Sequence, residues 1–201
     1  LRPGDDPRPR TTWWPVPVRE GALVRLRAHT RADVPRIVEA CSDPRTRHRA
    51  TGLPDPCGGR TAREFVRDLR LAESLGTAVT WAVADRDDDR LLADVGVSDL
   101  AGSIDPTGGE IGYRAHPDVR GRDVLTEAVQ LVVDHALRPV ADGGLGRTRL
   151  RTGVAWTDPA ARAVAERAGF GLVGRRRRDG VRGDGTVDDV ADYELVAGER
   201  T

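Results

Sequence analysis

A turn rich in arginine and glycine, His116-Pro117-Asp118-Val119-Arg120-Gly121-Arg122-Asp123, follows a strand-like run from Gly109 to Ala115 and opens a long apolar helix at Val124. Such a turn aims several backbone N–H groups at one place, and the dipole of the following helix adds partial positive charge there. The chemistry implied is the cradling of a phosphate. Asp123 is the residue out of keeping with it. A carboxylate within about 5 Å of a phosphate costs on the order of a few kcal/mol at an effective dielectric near 20. Arg120 and Arg122 flank it and can pair with it or with phosphate, and Asp tolerates left-handed backbone better than most residues. The run Arg175-Arg176-Arg177-Arg178 with Arg182 is the one concentrated basic patch. It reads as a solvated surface balanced by Asp179, Asp184, Asp188 and Asp189, and no aromatic residues interleave with it for stacking on bases. Cys41 and Cys57 have no metal-like spacing and read as two separate reduced thiols. No metal site is expected.

The elements that must position the turn can be read from the pattern. Residues 1–20 are rich in Pro and Arg and read as a partly disordered extension that docks, if at all, through Trp13 and Trp14; residues 21–201 read as one domain. A strand is expected over residues 23–28, then a helix from Thr30 to Cys41 with Pro35 in its first turn. A capping box at Thr61-Ala62-Arg63-Glu64 should open a second helix that stops at Gly76. Residues 78–84 and 91–100 read as paired strands, and 110–115 as a third. Val124 to Leu137 is apolar on most sides, as a helix buried against a sheet must be. A strand from Thr148, a short helix ended by Gly169 in a left-handed cap, and strands near 170–174 and 190–196 complete an α/β domain with a mixed sheet.

Composition narrows the function. The chain has 201 residues, 32 basic and 32 acidic, for a formal net charge of zero. No global field draws it to nucleic acid or to an anionic membrane. Every basic residue other than His is Arg, a bias that suggests GC-rich coding of the actinobacterial kind. Without a transmembrane-length stretch or a signal pattern, a cytoplasmic protein is expected.

Three pieces, Gly109-Glu110-Ile111-Gly112-Tyr113 through Arg120-Gly121-Arg122, Thr126-Glu127-Ala128, and Asp158-Pro159-Ala160-Ala161 through Gly169-Phe170, resemble the GNAT acetyltransferases, above all the ribosomal-protein N-terminal acetyltransferases. The early loop Thr51-Gly52-Leu53-Pro54-Asp55-Pro56 is similar to that branch too. The likeness runs from about residue 23 to 196. It implies a sheet of about seven strands with about four helices, splayed after the strand that ends near Ala115. It implies acetyl-CoA as co-substrate, with pantetheine held by backbone around Tyr113, Arg114 and Ala115. The pyrophosphate would rest on the N–H groups of Arg120, Gly121, Arg122, Asp123, Val124, Leu125 and Thr126, with Asp158 and Arg162 near the cofactor. Glu110 is then the expected base and Tyr113 a proton donor. Ser98, Asp99 and Trp156 would border the acceptor. The acceptor is an amine on a small molecule or a peptide N-terminus, and a homodimer is possible for proteins of this type.

The chain departs from that family at Asp123, where Gly is usual, at Asp158 for Asn, and at Ala161 for a frequent Ser. The alternative is therefore a GNAT-fold module with impaired catalysis that senses a ligand or scaffolds a partner. Transfer of a larger acyl group such as succinyl is a third expectation.

Overall fold

The computed structural model describes residues 15–49, 57–102 and 105–199. In chain order it has strands β1 (Arg19–Glu20) and β2 (Val24–Arg27), then helices α1 (Val34–Ser42), α2 (Pro44–Arg49) and α3 (Gly59–Ser74). Strands β3 (Val79–Asp85), β4 (Leu91–Ser98) and β5 (Gly108–Ala115) follow, then α4 (Val124–Leu137), β6 (Arg149–Ala155), α5 (Pro159–Arg167), β7 (Gly171–Val181) and β8 (Val187–Val196). The strands form one eight-stranded sheet in the order β1-β2-β3-β4-β5-β6-β8-β7. Every pairing is antiparallel except β5 with β6. The expected architecture stands, with eight strands where about seven were expected and five α-helices where about four were.

α4 forms where the apolar pattern placed it. Val124, Ala128, Val129, Val132, Val133 and Ala136 are all buried, in one cluster with Trp81, Val83, Val95 and Val97 of β3 and β4. Burying each valine contributes about 1.5–3 kcal/mol. α1 and α3 bury Val34, Ile37, Ala62 and Val66 on Ala82 and Leu91. Ala82 alternates with Trp81 and Val83 along β3, so α4 and the α1–α3 pair lie on opposite faces of the sheet.

Several boundaries differ from expectation, each for a local reason. Residues 17–20, assigned to a loose extension, are tied down: β1 pairs with β2, and the Trp81 indole N–H donates to the Pro17 carbonyl at 2.9 Å. Trp13, Trp14 and residues 51–56 lie outside the described residues. α3 begins at Gly59 with Gly58 as its N-cap, so Thr61 to Glu64 lies inside the helix and does not open it. The segment expected as one helix from Thr30 is a 3-10 turn, Arg31–Asp33, followed by α1. Cys41 and Cys57 were expected as separate thiols and instead form a disulfide, their Cα atoms 6.0 Å apart. The packing of α1 on α3 brings the end of one to the start of the other. Among the described residues no helix is long and apolar enough to cross a membrane, and no group of three metal-ligating side chains occurs.

His135 on α4 sets a pH dependence. It is buried, its ring is 5.5 Å from Trp81, and its Nδ1 lies 2.8 Å from the Arg19 guanidinium. Arg has only donors, so Nδ1 accepts and the ring is neutral. Burial, then repulsion from Arg19 and Arg138, pushes its pKa down to about 4. The unfolded chain protonates near pH 6.5 and the folded one only near 4, so folded stability is complete above 6.5 and falls as pH drops toward 4. Thermal melts of the wild type should lose stability across that window, by up to about 3 kcal/mol. His135→Phe should remove most of that slope.

Candidate active site

β5 and β6 pair at only three positions, Gly108 with Arg149, Gly109 with Leu150 and Glu110 with Arg151, and then separate. The parity of the neighbouring ladders says which groups face the gap. The His116 N–H bonds the Leu92 carbonyl, so even-numbered residues of β5 turn their backbone toward β4 and Ile111, Tyr113 and Ala115 turn theirs into the gap. On the other side the Trp156 N–H bonds Asp189 of β8, so Gly153 and Ala155 face the same gap. A cleft walled by free backbone donors and acceptors can hold an amide-bearing chain by hydrogen bonds. Of the three residues expected to do so, Tyr113 and Ala115 line the cleft. Arg114 turns away, its side chain paired with Asp94 at 2.7 Å on the α3 side.

The turn after β5 is held rigidly. His116 is buried with Nδ1 2.7 Å from Asp118, and Asp118 also takes Arg36 of α1 at 2.7 Å and Arg90 at 3.0 Å. Gly121 has φ +78°, a left-handed backbone that glycine adopts freely. The N–H of Arg122 is taken by Val119 and that of Glu127 by Asp123. The N–H groups of Asp123, Val124, Leu125 and Thr126 have no acceptor among the described residues, as expected of the first turn of a helix. Asp123 does not intrude on them. Its side chain is 77% exposed and pairs with Arg167 of α5 at 3.3 Å. Arg122 is exposed and has no partner among the described residues. Arg120, expected at the phosphate, is instead engaged: its guanidinium donates to Asp43 at 2.5 Å and to Thr46 at 2.6 Å.

Asp43 and Thr46 belong to a strap that no motif in the sequence announces. α2 is six residues, with Asp43 ahead of Pro44 at its start. One end is clipped to the turn after β5 through Arg120, and Arg49 at the other end meets Asp158, after β6, at 3.0 Å. The strap therefore joins the two sides of the cleft where the strands diverge. His48 adds the β7–β8 hairpin, with Nδ1 3.0 Å from Asp184 and its carbonyl accepting from Gly183. An Asp-Pro start is a helix-opening signal, but no apolar periodicity follows it.

Asp158 is buried and caps α5 by accepting from the Ala161 N–H at 3.2 Å. Tyr113 reaches the same turn: its hydroxyl donates to the Ala161 carbonyl at 2.8 Å. Burial pushes its pKa above the usual tyrosine range, so the phenol stays protonated. Arg162 is taken up by Tyr193, at 3.1 Å, and by the Trp156 ring, at 4.6 Å. Arg175 also lies over Trp156, at 4.3 Å, so that indole packs beneath two guanidinium groups. The basic run is balanced by Asp189 on Arg175, Asp179 on Arg176 and Asp188 on Arg182, as expected; Asp192, not expected, also takes Arg176, and Asp184 goes to His48 instead.

Glu110 stands at the last β5–β6 rung, on the face opposite Tyr113. It is exposed and forms no ion pair among the described residues. Ser98 is its cross-strand neighbour on β4, and Asp99 follows with φ +58°. One rung on, Gly112 pairs with Gly96, and nothing lies within 4 Å of where a Gly112 side chain would begin. The floor beside Glu110 is thus bare backbone, bounded further along by Asp94 and Arg114. Burial opposes ionisation of Asp94, but Arg114 and then His29 outweigh it and hold its carboxyl down to about 2.

Residues 24–171 match the family model described as the acetyltransferase (GNAT) domain. Among solved structures, RimL, a ribosomal L7/L12 α-N-protein acetyltransferase in complex with coenzyme A, is 18% identical with a TM-score of 0.75, covering 90% of this chain and 97% of that one. RimJ of Mycobacterium smegmatis, with a CoA disulfide, is 18% identical at 0.75, covering 91% and 87%. The microcin C7 self-immunity acetyltransferase MccE, with acetyl-CoA and AMP, is 13% identical at 0.74, covering 88% and 93%. No curated protein matches the chain.

The strap makes its own prediction. Arg120, hydrogen-bonded to Asp43, holds that carboxyl down to about 2, so the clip persists through mildly acid conditions and is lost only below about pH 4 toward 2. A double-mutant cycle of Asp43→Ala and Arg120→Ala, read by chemical denaturation at pH 7, should show coupling of about 0.5–3 kcal/mol. Repeated near pH 2, where about half of the Asp43 carboxyl is protonated in the folded protein, the coupling should fall well below its pH 7 value.

Proposed function

This chain belongs to the GNAT family of acetyltransferases, and from that premise we propose that it transfers an acetyl group from acetyl-CoA directly to a primary amine. One observation carries the reading: Asp123, the residue least compatible with a pyrophosphate loop, faces solvent and Arg167, while the N–H groups of Asp123 to Thr126 are unclaimed. The pyrophosphate belongs on those groups and on Gly121 and Arg122. Pantetheine belongs between the free edges of Ile111, Tyr113 and Ala115 and of Gly153 and Ala155. Arg120 acts through the strap and not on phosphate.

The roles of Glu110 and Tyr113 follow from their opposite faces. The amine arrives over the Gly112 floor as an ammonium and gives a proton to Glu110, directly or through one water. Its lone pair attacks the thioester carbonyl and forms the C–N bond. The attacking nitrogen gives up its second proton to solvent as the tetrahedral intermediate collapses; the C–S bond breaks, the departing thiolate takes the proton of the Tyr113 hydroxyl, and solvent returns a proton to Tyr113. A phenol held protonated by burial can donate and cannot compete as a nucleophile. Ser98 and Asp99 border the acceptor. A peptide or protein N-terminus is the favoured acceptor, because solved relatives of this fold include an α-N-protein acetyltransferase. The use of acetyl-CoA fits a cytoplasmic setting. The alternative of binding without catalysis drew on Asp123, Asp158 and Ala161. Asp123 turns away, Asp158 is employed as a cap, and Tyr113 brings a hydroxyl to the turn that lacks a serine.

A calorimetric titration with acetyl-CoA and with CoA tests the reading. Micromolar binding is expected, and Asp123→Gly should change it by less than about threefold, since a screened, outward carboxylate adds little. The absence of heat at millimolar cofactor would overturn it. Given binding, Glu110→Gln should lower kcat on an N-terminal peptide by about 10²–10⁴-fold while leaving acetyl-CoA affinity unchanged. Tyr113→Phe should lower kcat and leave the alkaline limb of the pH profile unchanged, since burial keeps the phenol protonated throughout the accessible range.

A further inference from the structure

α3 carries a stripe of arginines that the transfer chemistry does not use. Arg60, Arg63, Arg67 and Arg70 recur at intervals of three and four residues, so they share one side of the helix. With Arg31, from the turn ahead of α1, they line a groove of about 360 Å³ whose remaining walls are Val34, Val66 and Glu64. All five arginines are exposed. Arg67 pairs with its neighbour Asp68 at 2.9 Å and Arg70 donates to the His29 carbonyl at 3.3 Å. Arg31, Arg60 and Arg63 have no ion-pair partner among the described residues. In the basic run at 175–178 two of the four arginines are met by carboxylates of the adjacent strand. Here Arg31, Arg60 and Arg63 bring three guanidinium groups without an ion pair among the described residues to one groove, against the single carboxylate of Glu64 in its wall.

We propose that this groove docks an acidic, extended polypeptide segment. The length fits: Arg60 to Arg70 spans about 15 Å of helix, or four to five residues of extended chain. The lining fits as well. An extended segment that alternates acidic and apolar residues sets its carboxylates toward the arginine rims and its apolar side chains toward the floor, where the edges of the otherwise buried Val34 and Val66 reach the groove. A nucleic-acid backbone has no apolar face to offer that floor, and among the described residues the groove contains no aromatic side chain on which a base could stack. α3 covers the sheet face that carries Glu110, so the segment docks on the acceptor side of the molecule.

The test is fluorescence anisotropy with the full chain and a labelled eight-residue peptide of alternating Glu and Leu. Binding should weaken steeply between about 50 and 200 mM salt. The variant Arg31→Ser/Arg60→Ser/Arg63→Ser should weaken it by about tenfold or more, while the corresponding triple Lys variant retains it. These three side chains make no ion pair, so thermal melts should match the wild type and folding does not confound the result. Binding that is unchanged in the Ser variant would overturn the proposal. So would tighter binding of a single-stranded RNA oligonucleotide at the same groove, or self-association abolished by the same substitutions. The kinetic consequence alone rests on the acetyltransferase reading: an N-terminal peptide extended by the acidic stretch should show a lower KM at unchanged kcat, lost in the Ser variant. The anisotropy result stands without it.

Discussion

The parting of β5 and β6 after three residue pairs is the constraint on which the rest of this structure depends. A sheet interrupted in its middle leaves two rows of backbone donors and acceptors without partners, and buried groups of that kind cost free energy unless something satisfies them. Antiparallel ladders on either flank pin the outer sides of both strands, so the gap cannot close by a shift in register. The cleft is therefore a consequence of topology. It is filled by water or by a ligand that presents amides, and no side chain has to be placed for that purpose.

The same topology distributes the side chains. Period-two alternation sends Glu110 to the α3 face and Tyr113 to the α5 face of one strand, so a carboxylate and a phenol flank the cleft without approaching each other. Two carboxylates or a bonded acid–base pair on one face would perturb each other's protonation. Separation by the sheet avoids that. The buried helix α4 fixes the height of the turn after β5, and Glu127 on it accepts from the N–H groups of Ala22 and Leu23, so the first turn of α4 is braced against the β1–β2 turn. The arginine at the head of the loop serves the same end: it braces α2.

What the sequence disclosed follows the strength of the local signal. α4 was legible to the residue because an almost wholly apolar stretch has one physical solution. The end of α5 was legible because Gly169 takes φ +96°. α2 was not, since of Pro44 to Arg49 only Thr46 is buried and the helix is made by tertiary ion pairs. β1 is two residues long and exists only by pairing with β2. The length of β7 was hidden by its arginines: a charged run reads as loop, and it becomes strand because Asp189 and Asp192 lie on the strand opposite. The direction of the Asp123 side chain depends on Arg167, more than forty residues on, which no local pattern encodes.

The three departures from the family's pattern look different once their partners are named. Taken singly, Asp for Gly in a phosphate loop, Asp for Asn and Ala for Ser each suggest decay. In the fold each has an assigned neighbour: Arg167 for Asp123, Arg49 and the Ala161 N–H for Asp158, and the Tyr113 hydroxyl for the turn at Ala161. A decaying site has no reason to acquire such complements. Asp123 and Asp158, placed where the family carries neutral residues, each meet an arginine from another element. The Asp158–Arg49 pair is the informative one, because Arg49 ends the strap whose other end holds Arg120. A neutral Asn at 158 could cap α5 as well but would hold Arg49 less firmly. Asp158 therefore serves two elements at once, capping α5 and bracing the strap across the mouth of the cleft, which stiffens the place where the two central strands part.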